Sequence, residues 1–149
     1  MTAEQMNRMM RERWRELGFY YDFDEALSRW RLVGSRSGLL KFRDILNGYA
    51  DDPRNDKISE HEHYGPYSYL KLMTWAEAEI TGDAICGTLP DFRRLAAMIG
   101  EKLKASSTGG AFTIGDEYAG GSKATLEFEV REEGFDPASA DQLLPPGDS

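Results

Sequence analysis

The sequence predicts an α+β domain, in which an antiparallel sheet carries two long helices on one face and a further helix precedes it. Apolar residues at helical spacing in 39–49 and 92–103 predict the long helices. Short aromatic, β-branched or alternating stretches around them predict the strands. The chain of 149 residues has the length of one domain. We place that domain at 1–135 and expect 136–149 to be a flexible tail.

The first predicted element is a helix that starts at a capping box, Thr2 to Gln5, and ends at Gly18. We expect its apolar stripe to pack on the sheet. The alternative is a homodimer in which this methionine- and tryptophan-bearing face forms the interface. The stripe consists of Met6, Met10, Trp14 and Leu17.

The next elements are a hairpin, a helix and a strand. FYYDF and RWRLV predict two strands joined by the turn DEALS. Ser35 can cap the helix that follows, and the apolar run YSYLKLMTW at 67–75 predicts a strand inside the sheet. Residues 51–66 form the longest polar connection. The buried face of the helix is expected to contain Leu39, Phe42, Leu46 and Tyr49.

The second half of the chain repeats this order. AEAEITGD predicts a turn and DAICG a short strand, after which Thr88 caps a helix. AFTI predicts another strand, and GDEYAGGSK a loop. In ATLEFEVRE the apolar residues alternate with charged ones, which is typical of a half-buried strand. The expected inward residues are Phe92, Leu95, Ala96, Ile99 and Leu103 of the helix and Leu126, Phe128 and Val130 of the strand.

An internal repeat follows from that order. Residues 29–75 and 83–131 both read as strand, Gly-Ser or Gly-Thr cap, helix, polar loop with a tyrosine, and strand. The order predicts a βαββ duplication whose halves share one sheet. The loops SEHEHYGPY and GDEYAGG occupy corresponding positions in the two halves.

Composition limits the classes of partner and compartment. The chain has 26 acidic and 18 basic residues, a net charge of −8. This balance disfavours nucleic acid and anionic membranes and favours a basic protein partner. A single cysteine, Cys86, and an N-terminus unlike a secretory signal indicate a reducing, cytoplasmic setting.

The histidines are the strongest candidates for chemistry. His61 and His63 are separated by one residue, so in an extended segment both side chains point to one side. A zinc site needs three or four ligands, and Asp116 or Glu117 of the second loop could supply a third. A metal-binding domain or metal-dependent hydrolase therefore stays open as an alternative. Cys86 lies in an apolar strand, where a small buried side chain is expected.

The same loops have the composition of a protein interface, because aromatic residues alternate there with charged ones. We expect this surface to bind a partner, and we assign no catalytic residue and no cofactor. The expected contact residues are Glu60, His61, Glu62, His63, Tyr64 and Tyr67 of the first loop and Asp116, Glu117 and Tyr118 of the second.

GSRSGLLKFRDILNGYA followed by SEHEHYGPYSYLKLMTW resembles the small α+β immunity proteins of bacterial polymorphic-toxin systems. In that family a strand ending in Gly-Ser leads into a Gly-Leu helix, and a histidine-bearing loop precedes a hydrophobic strand. The similarity covers residues 30–88. It implies a cytoplasmic, non-enzymatic inhibitor of a cognate toxin, frequently a cationic nuclease, and implies no catalytic residue.

Overall fold

A computed structural model describes residues 1–145. The described chain contains helices α1 (Ala3–Leu17), α2 (Arg36–Asp51) and α3 (Leu89–Ala105). The predicted α+β class is confirmed. The strands are β1 (Tyr20–Asp24), β2 (Arg29–Ser35), β3 (His61–Tyr64), β4 (Leu70–Thr74), β5 (Glu79–Ile80), β6 (Ile85–Gly87), β7 (Ala111–Ile114) and β8 (Thr125–Arg131).

The strands form two mixed sheets rather than the single antiparallel sheet expected from the sequence. Sheet 1 has the order β1-β2-β8-β7, and sheet 2 has the order β3-β4-β6-β5. In each sheet the two central strands are parallel and the outer pairs are antiparallel. Each parallel pair joins a hairpin from one half of the chain to a hairpin from the other half.

The two halves of the chain have the same order of elements, as the sequence predicts. Each half runs hairpin, helix, hairpin, which adds one leading strand to the predicted βαββ unit. Exchanging the two halves converts the strand order of sheet 1 into that of sheet 2. Strand β1 therefore corresponds to β5, and the β3–β4 connection corresponds to the β7–β8 connection.

The two long helices begin at the predicted caps and run antiparallel. Ser35 accepts the amide of Gly38, and Thr88 forms a capping box with Asp91. An arginine near the start of each helix binds the end of the other. The guanidinium of Arg36 donates to the Leu103 carbonyl at 3.2 Å, and that of Arg93 donates to the Ala50 carbonyl at 3.1 Å. Both contacts place positive charge at a helix C-terminus, where the helix dipole favours it.

The predicted apolar stripes of α2, α3 and β8 are buried and form one core with the inward residues of both sheets. The sequence therefore located the core correctly. The predicted core side chains, each at most 2% exposed, are Leu39, Phe42, Leu46, Tyr49, Phe92, Leu95, Ala96, Ile99, Leu103, Leu126, Phe128 and Val130.

Helix α1 has the predicted capping box at Thr2 and ends at Gly18, whose φ of 97° suits glycine. Its packing differs from the expectation. Only Trp14 of this helix is fully buried, and Met6 is 44% exposed. The helix packs on the C-terminal segment as well as on sheet 1, with Arg15 bound to both carboxylate oxygens of Asp136.

The expected flexible tail also needs correction. Pro137–Ala140 form a 3-10 turn, and both Ala138 and Asp141 are buried. We call residues 136–145 the C-terminal strap, because they lie across α1 and β1. Residues 146–149 of the predicted tail lie outside the described chain.

Two shorter elements replace predicted irregular segments. The polar connection 51–66 contains a 3-10 turn, Pro53–Asn55, and strand β3. The expected turn AEAEITGD contains the two-residue strand β5, which the short polar stretch did not reveal. Within residues 1–145, no helix is long and apolar enough to cross a membrane.

Candidate binding cleft

A cleft of about 740 Å³ opens between sheet 1 and the end of sheet 2. Its walls are β1, the β3–β4 connection, the β5–β6 turn and the C-terminal strap. Side chains from both faces of β1 line it: Tyr20 and Asp22 from one face, Tyr21 and Phe23 from the other. Successive residues of a strand point to opposite faces, so the cleft runs along the free edge of β1.

Tyr21 connects this edge to sheet 2. Its hydroxyl donates to the Tyr64 carbonyl at 2.5 Å and accepts from the Leu70 amide at 3.2 Å. Trp30 forms a similar connection, because its indole N–H donates to the Thr81 carbonyl at 2.8 Å. These buried side chains hold the walls of the cleft at a fixed separation.

The strap is fixed at the cleft by Asp141, which is only 5% exposed. One carboxylate oxygen accepts from Trp14 Nε1 at 2.9 Å and from the Tyr67 hydroxyl at 2.7 Å. The other accepts from the Leu143 amide at 3.0 Å. One side chain thus joins the strap, helix α1 and the β3–β4 connection.

An aromatic pair forms the outer wall. Tyr67 and Tyr69 are stacked with ring centroids 5.7 Å apart, and Tyr69 is 67% exposed. Burial and the nearby Asp141 raise the pKa of Tyr67 to about 12, so its hydroxyl is a hydrogen-bond donor at neutral pH. Tyr69 presents a rigid aromatic face to solvent at the mouth of the cleft.

The cleft carries more acidic than basic groups. Asp22 is already paired, because Arg31 donates to it at 3.1 Å and Tyr20 donates to it at 3.0 Å. Asp83 is exposed in the β5–β6 turn, and Glu25 is exposed in the β1–β2 turn. The lining carboxylates are Asp22, Glu25, Asp83 and Asp141, and the lining cations are Arg31 and Lys71, beside His63.

The histidines lie on β3 and point to the same side, as their spacing predicts. The rings of His61 and His63 are perpendicular, with centroids 5.3 Å apart, and both side chains are exposed. Each Nδ1 faces a backbone carbonyl, that of Ser59 at 3.0 Å and that of Ser68 at 2.9 Å. Across residues 1–145, no three histidine, cysteine, aspartate or glutamate side chains are placed to hold one metal ion.

The other predicted residues of the first loop surround this strand. Glu60 and Glu62 are exposed. Tyr64 is half-buried, and its hydroxyl donates to Glu62 at 2.9 Å. Burial, with the hydrogen bond to Glu62, raises the pKa of Tyr64. Of this group, His63 and Tyr67 also line the cleft.

The second loop packs elsewhere. Tyr118 is only 3% exposed and donates to the Cys86 carbonyl at 2.7 Å, beneath the guanidinium of Arg94. Arg94 also donates to the Glu117 carbonyl at 3.1 Å. Asp116 and Glu117 are exposed, but neither lines the cleft. A partner could reach Tyr118 only if the loop rearranged.

Cys86 is a buried structural residue, as expected. Burial raises the pKa of its thiol to about 11, so the reactive thiolate is scarce at neutral pH.

The sequence did not reveal most of the cleft. Trp14, Asp22 and Asp141 are far apart along the chain and meet only through the fold. Two features of the sequence could have indicated the cleft: the aspartates within the aromatic strand β1, and the tyrosines on either side of Ser68.

No protein-family model, curated protein or solved structure matches this chain.

Proposed function

We propose that this protein is a non-enzymatic binding domain whose cleft along β1 receives a basic partner protein. The observation that carries this proposal is the combination of an open cleft, an excess of carboxylates and an exposed aromatic pair at its mouth. Interfaces are enriched in such rigid amphipathic anchors, and tyrosine is among the commonest energetic hot spots.

Charge supports a basic partner. The whole chain carries −8, and the rim residues Glu25 and Asp83 are exposed. Complementary charge accelerates association and discriminates against acidic partners, and salt weakens both effects.

The polar groups at the back of the cleft serve structural contacts. Asp141 accepts from Trp14 and Tyr67, and Asp22 accepts from Tyr20 and Arg31. Carboxylates whose hydrogen bonds are all made within the protein stabilise the shape of the cleft. An acid-base catalyst instead needs a proton-transfer group that is directed at a substrate. This arrangement suits recognition better than catalysis.

The specific form that we propose is an immunity protein that neutralises a cognate toxin in the cytoplasm. The resemblance of GSRSGLLKFRDILNGYA and SEHEHYGPYSYLKLMTW to that group supports this form. An acidic cleft is also suited to a cationic toxin.

The test is to use the full chain as bait for the product of the neighbouring gene. Tyr69→Ala and Asp83→Lys remove an exposed anchor and an acidic rim charge, and Glu101→Lys on α3 is the control for charge reversal outside the cleft. We expect Tyr69→Ala to weaken binding by about tenfold or more. Asp83→Lys should mainly slow association at low salt.

Protection of cells that express the neighbouring gene should fall in the same order. Equal binding by all three variants would contradict a role for the cleft. Failure to capture or protect against any neighbouring product would contradict the immunity function.

A further inference from the structure

The imidazoles of His61 and His63 are both oriented by backbone carbonyls. Nδ1 of His61 faces the Ser59 carbonyl at 3.0 Å, and Nδ1 of His63 faces the Ser68 carbonyl at 2.9 Å. A carbonyl oxygen only accepts hydrogen bonds, so each neutral imidazole carries its proton on Nδ1 and its lone pair on Nε2. Histidines that bind metal ions usually have this arrangement. Both side chains are exposed, and neither Nε2 has a hydrogen-bond partner within residues 1–145.

The carbonyls that orient these rings belong to residues in an unfavourable backbone conformation. Ser59 has a φ of 76° and Ser68 has a φ of 59°, in the left-handed region that favours glycine. Within residues 1–145, Ser28 is the only other non-glycine residue with a positive φ. Strained residues cluster at functional sites, so their coincidence with both carbonyls supports a function for the oriented histidine pair.

Strand β3 is an outer strand of sheet 2, and its hydrogen bonds to β4 fix which backbone groups face outward. The Thr74 amide donates to the Glu60 carbonyl at 2.8 Å, so Glu60 directs its backbone groups to β4. By alternation Glu62 does the same. The N–H and C=O groups of His61 and His63 therefore point away from β4.

The other side of β4 gives the same register. The Trp75 amide donates to the Gly87 carbonyl of β6 at 2.9 Å, so by alternation Met73 and Lys71 also direct their backbone groups to β6. These two residues are the partners of the histidines in β3. All four residues from 60 to 63 are exposed, so residues 1–145 leave the outer edge of β3 uncovered.

We propose that His61 and His63 are one half of a zinc site that a second copy of this chain completes. Structural zinc takes four ligands, and within residues 1–145 no third histidine, cysteine, aspartate or glutamate joins the pair. The outer edge of β3 pairs antiparallel with the same edge of the second copy about a two-fold axis at Glu62. This pairing places His61 opposite His63 of the second copy, with all four imidazoles on one face of the joined sheets.

The spacing of the imidazoles suits a single ion. Opposite residues of paired strands have Cβ atoms about 5 Å apart, and the two rings of one chain have centroids 5.3 Å apart. The four Nε2 atoms can therefore converge on one Zn²⁺. Imidazole ligands also suit Ni²⁺ and Cu²⁺, so the site belongs to divalent transition metals as a class.

Glu62 makes this assembly depend on the ion. On the face of β3 opposite the histidines, the pairing places Glu62 against the same residue of the second copy, and like charges in that position destabilise paired strands. Each chain also carries a net charge of −8. Charged residues of this kind keep exposed edge strands from pairing. The metal-free chain should therefore stay monomeric, and coordination by four imidazoles supplies the attraction that overcomes the repulsion.

The test is sedimentation of the untagged full chain with and without zinc. In a chelator the chain should sediment as a monomer, and Zn²⁺ should convert it to a dimer that excess chelator dissociates. Calorimetry should give one ion for two chains, as a site of four imidazoles requires. His61→Ala and His63→Ala should each weaken zinc binding by at least about tenfold and abolish the dimer. Asp116→Ala, an exposed carboxylate outside the pair, is the control and should change neither.

Two further measurements test the orientation and the charge. Nitrogen NMR of the imidazoles in the metal-free chain should show the proton on Nδ1 of both histidines, and zinc should shift the Nε2 signals. Glu62→Gln should strengthen the zinc-dependent dimer by several-fold, about the effect of removing one repulsive pair.

Three results would overturn the proposal. The first is the absence of zinc binding at about 100 µM. The second is one ion bound to each chain without dimerisation, which indicates a site completed by water. The third is a dimer that persists in chelator or in His61→Ala, which is held by another surface. None of these results bears on the proposed function, because zinc-dependent dimerisation requires no toxin.

Discussion

The two halves of the chain have the same order of elements, yet one forms a cleft where the other is closed. In the second half, ten residues, 115–124, connect β7 to β8 and cover the edge of the two-residue strand β5. In the first half, five residues, 65–69, connect β3 to β4, and β1 is five residues long. The shorter connection cannot cover the longer strand. The β3–β4 connection is shorter than the equivalent β7–β8 connection, and this difference in length leaves the candidate cleft open beside β1.

The largest expected effect concerns the C-terminal strap, which packs on α1 and on β1 of the first half. Asp141→Ala should lower the free energy of unfolding by about 3 kcal/mol, because the buried donors of Trp14 and Tyr67 lose their acceptor. Asp116→Ala in the exposed second loop is the control and should change stability by less than about 0.5 kcal/mol. Urea unfolding measures both. Equal stabilities of the two variants would show that the strap is not anchored as described.

A pair of glycine substitutions compares the two connections directly. Both Gly65 and Gly121 have positive φ, 87° and 75°. A Cβ on Gly65 would lie 2.6 Å from the Tyr21 ring, whereas one on Gly121 would meet nothing within 4 Å. Gly65→Ala should cost about 3 kcal/mol from strain and overpacking, and Gly121→Ala about 1 kcal/mol from strain alone. The comparison fails if Gly121→Ala is the more destabilising change in urea.

Tyr64 of the first predicted loop and Tyr118 of the second should differ in the same measurement. Tyr118→Phe removes a buried hydrogen bond to the Cys86 carbonyl and should cost about 1–2 kcal/mol. Tyr64→Phe removes a bond to the exposed Glu62 and should cost less than about 0.5 kcal/mol. The reverse order would contradict the description of the second loop as closed.

The smallest expected effect depends on pH. A hydrogen bond from Arg15 holds the pKa of Asp136 below its usual value. A lowered folded-state pKa contributes stability above the unfolded value of about 3.9, and this stability is lost as pH falls through the folded pKa. Because both side chains are nearly half exposed, at 48% and 40%, we expect at most about 1 kcal/mol.

Asp136→Asn tests this, because an asparagine oxygen can still cap the 3-10 turn by accepting the Ala138 amide. The wild type should exceed the variant in stability at pH 6, and the difference should shrink by pH 3. A difference that stays constant or grows on acidification would contradict the contribution of this ion pair.

The sequence predicted local elements better than their assembly. Helix α3 was predictable because the Thr88 cap and a stripe from Phe92 to Leu103 are encoded within one segment. Sheet partners were not, because the parallel pairing of β2 with β8 depends on contacts about a hundred residues apart along the chain. The cleft was missed for the same reason. The predicted residues His63 and Tyr67 lie in it, but Asp141 joins them only through the packed strap.

The central claim is that the edge of β1 is open where the equivalent edge of β5 is closed. Hydrogen exchange of the free protein tests it at two amides, Phe23 and Ile80. After normalisation to unstructured-peptide rates, Phe23 should exchange at least about tenfold faster, because the Ile80 amide is bonded to Ser122, whereas the Phe23 amide points away from β2 and has no partner within residues 1–145. A Phe23 amide protected as strongly as that of Ile80 would contradict the claim.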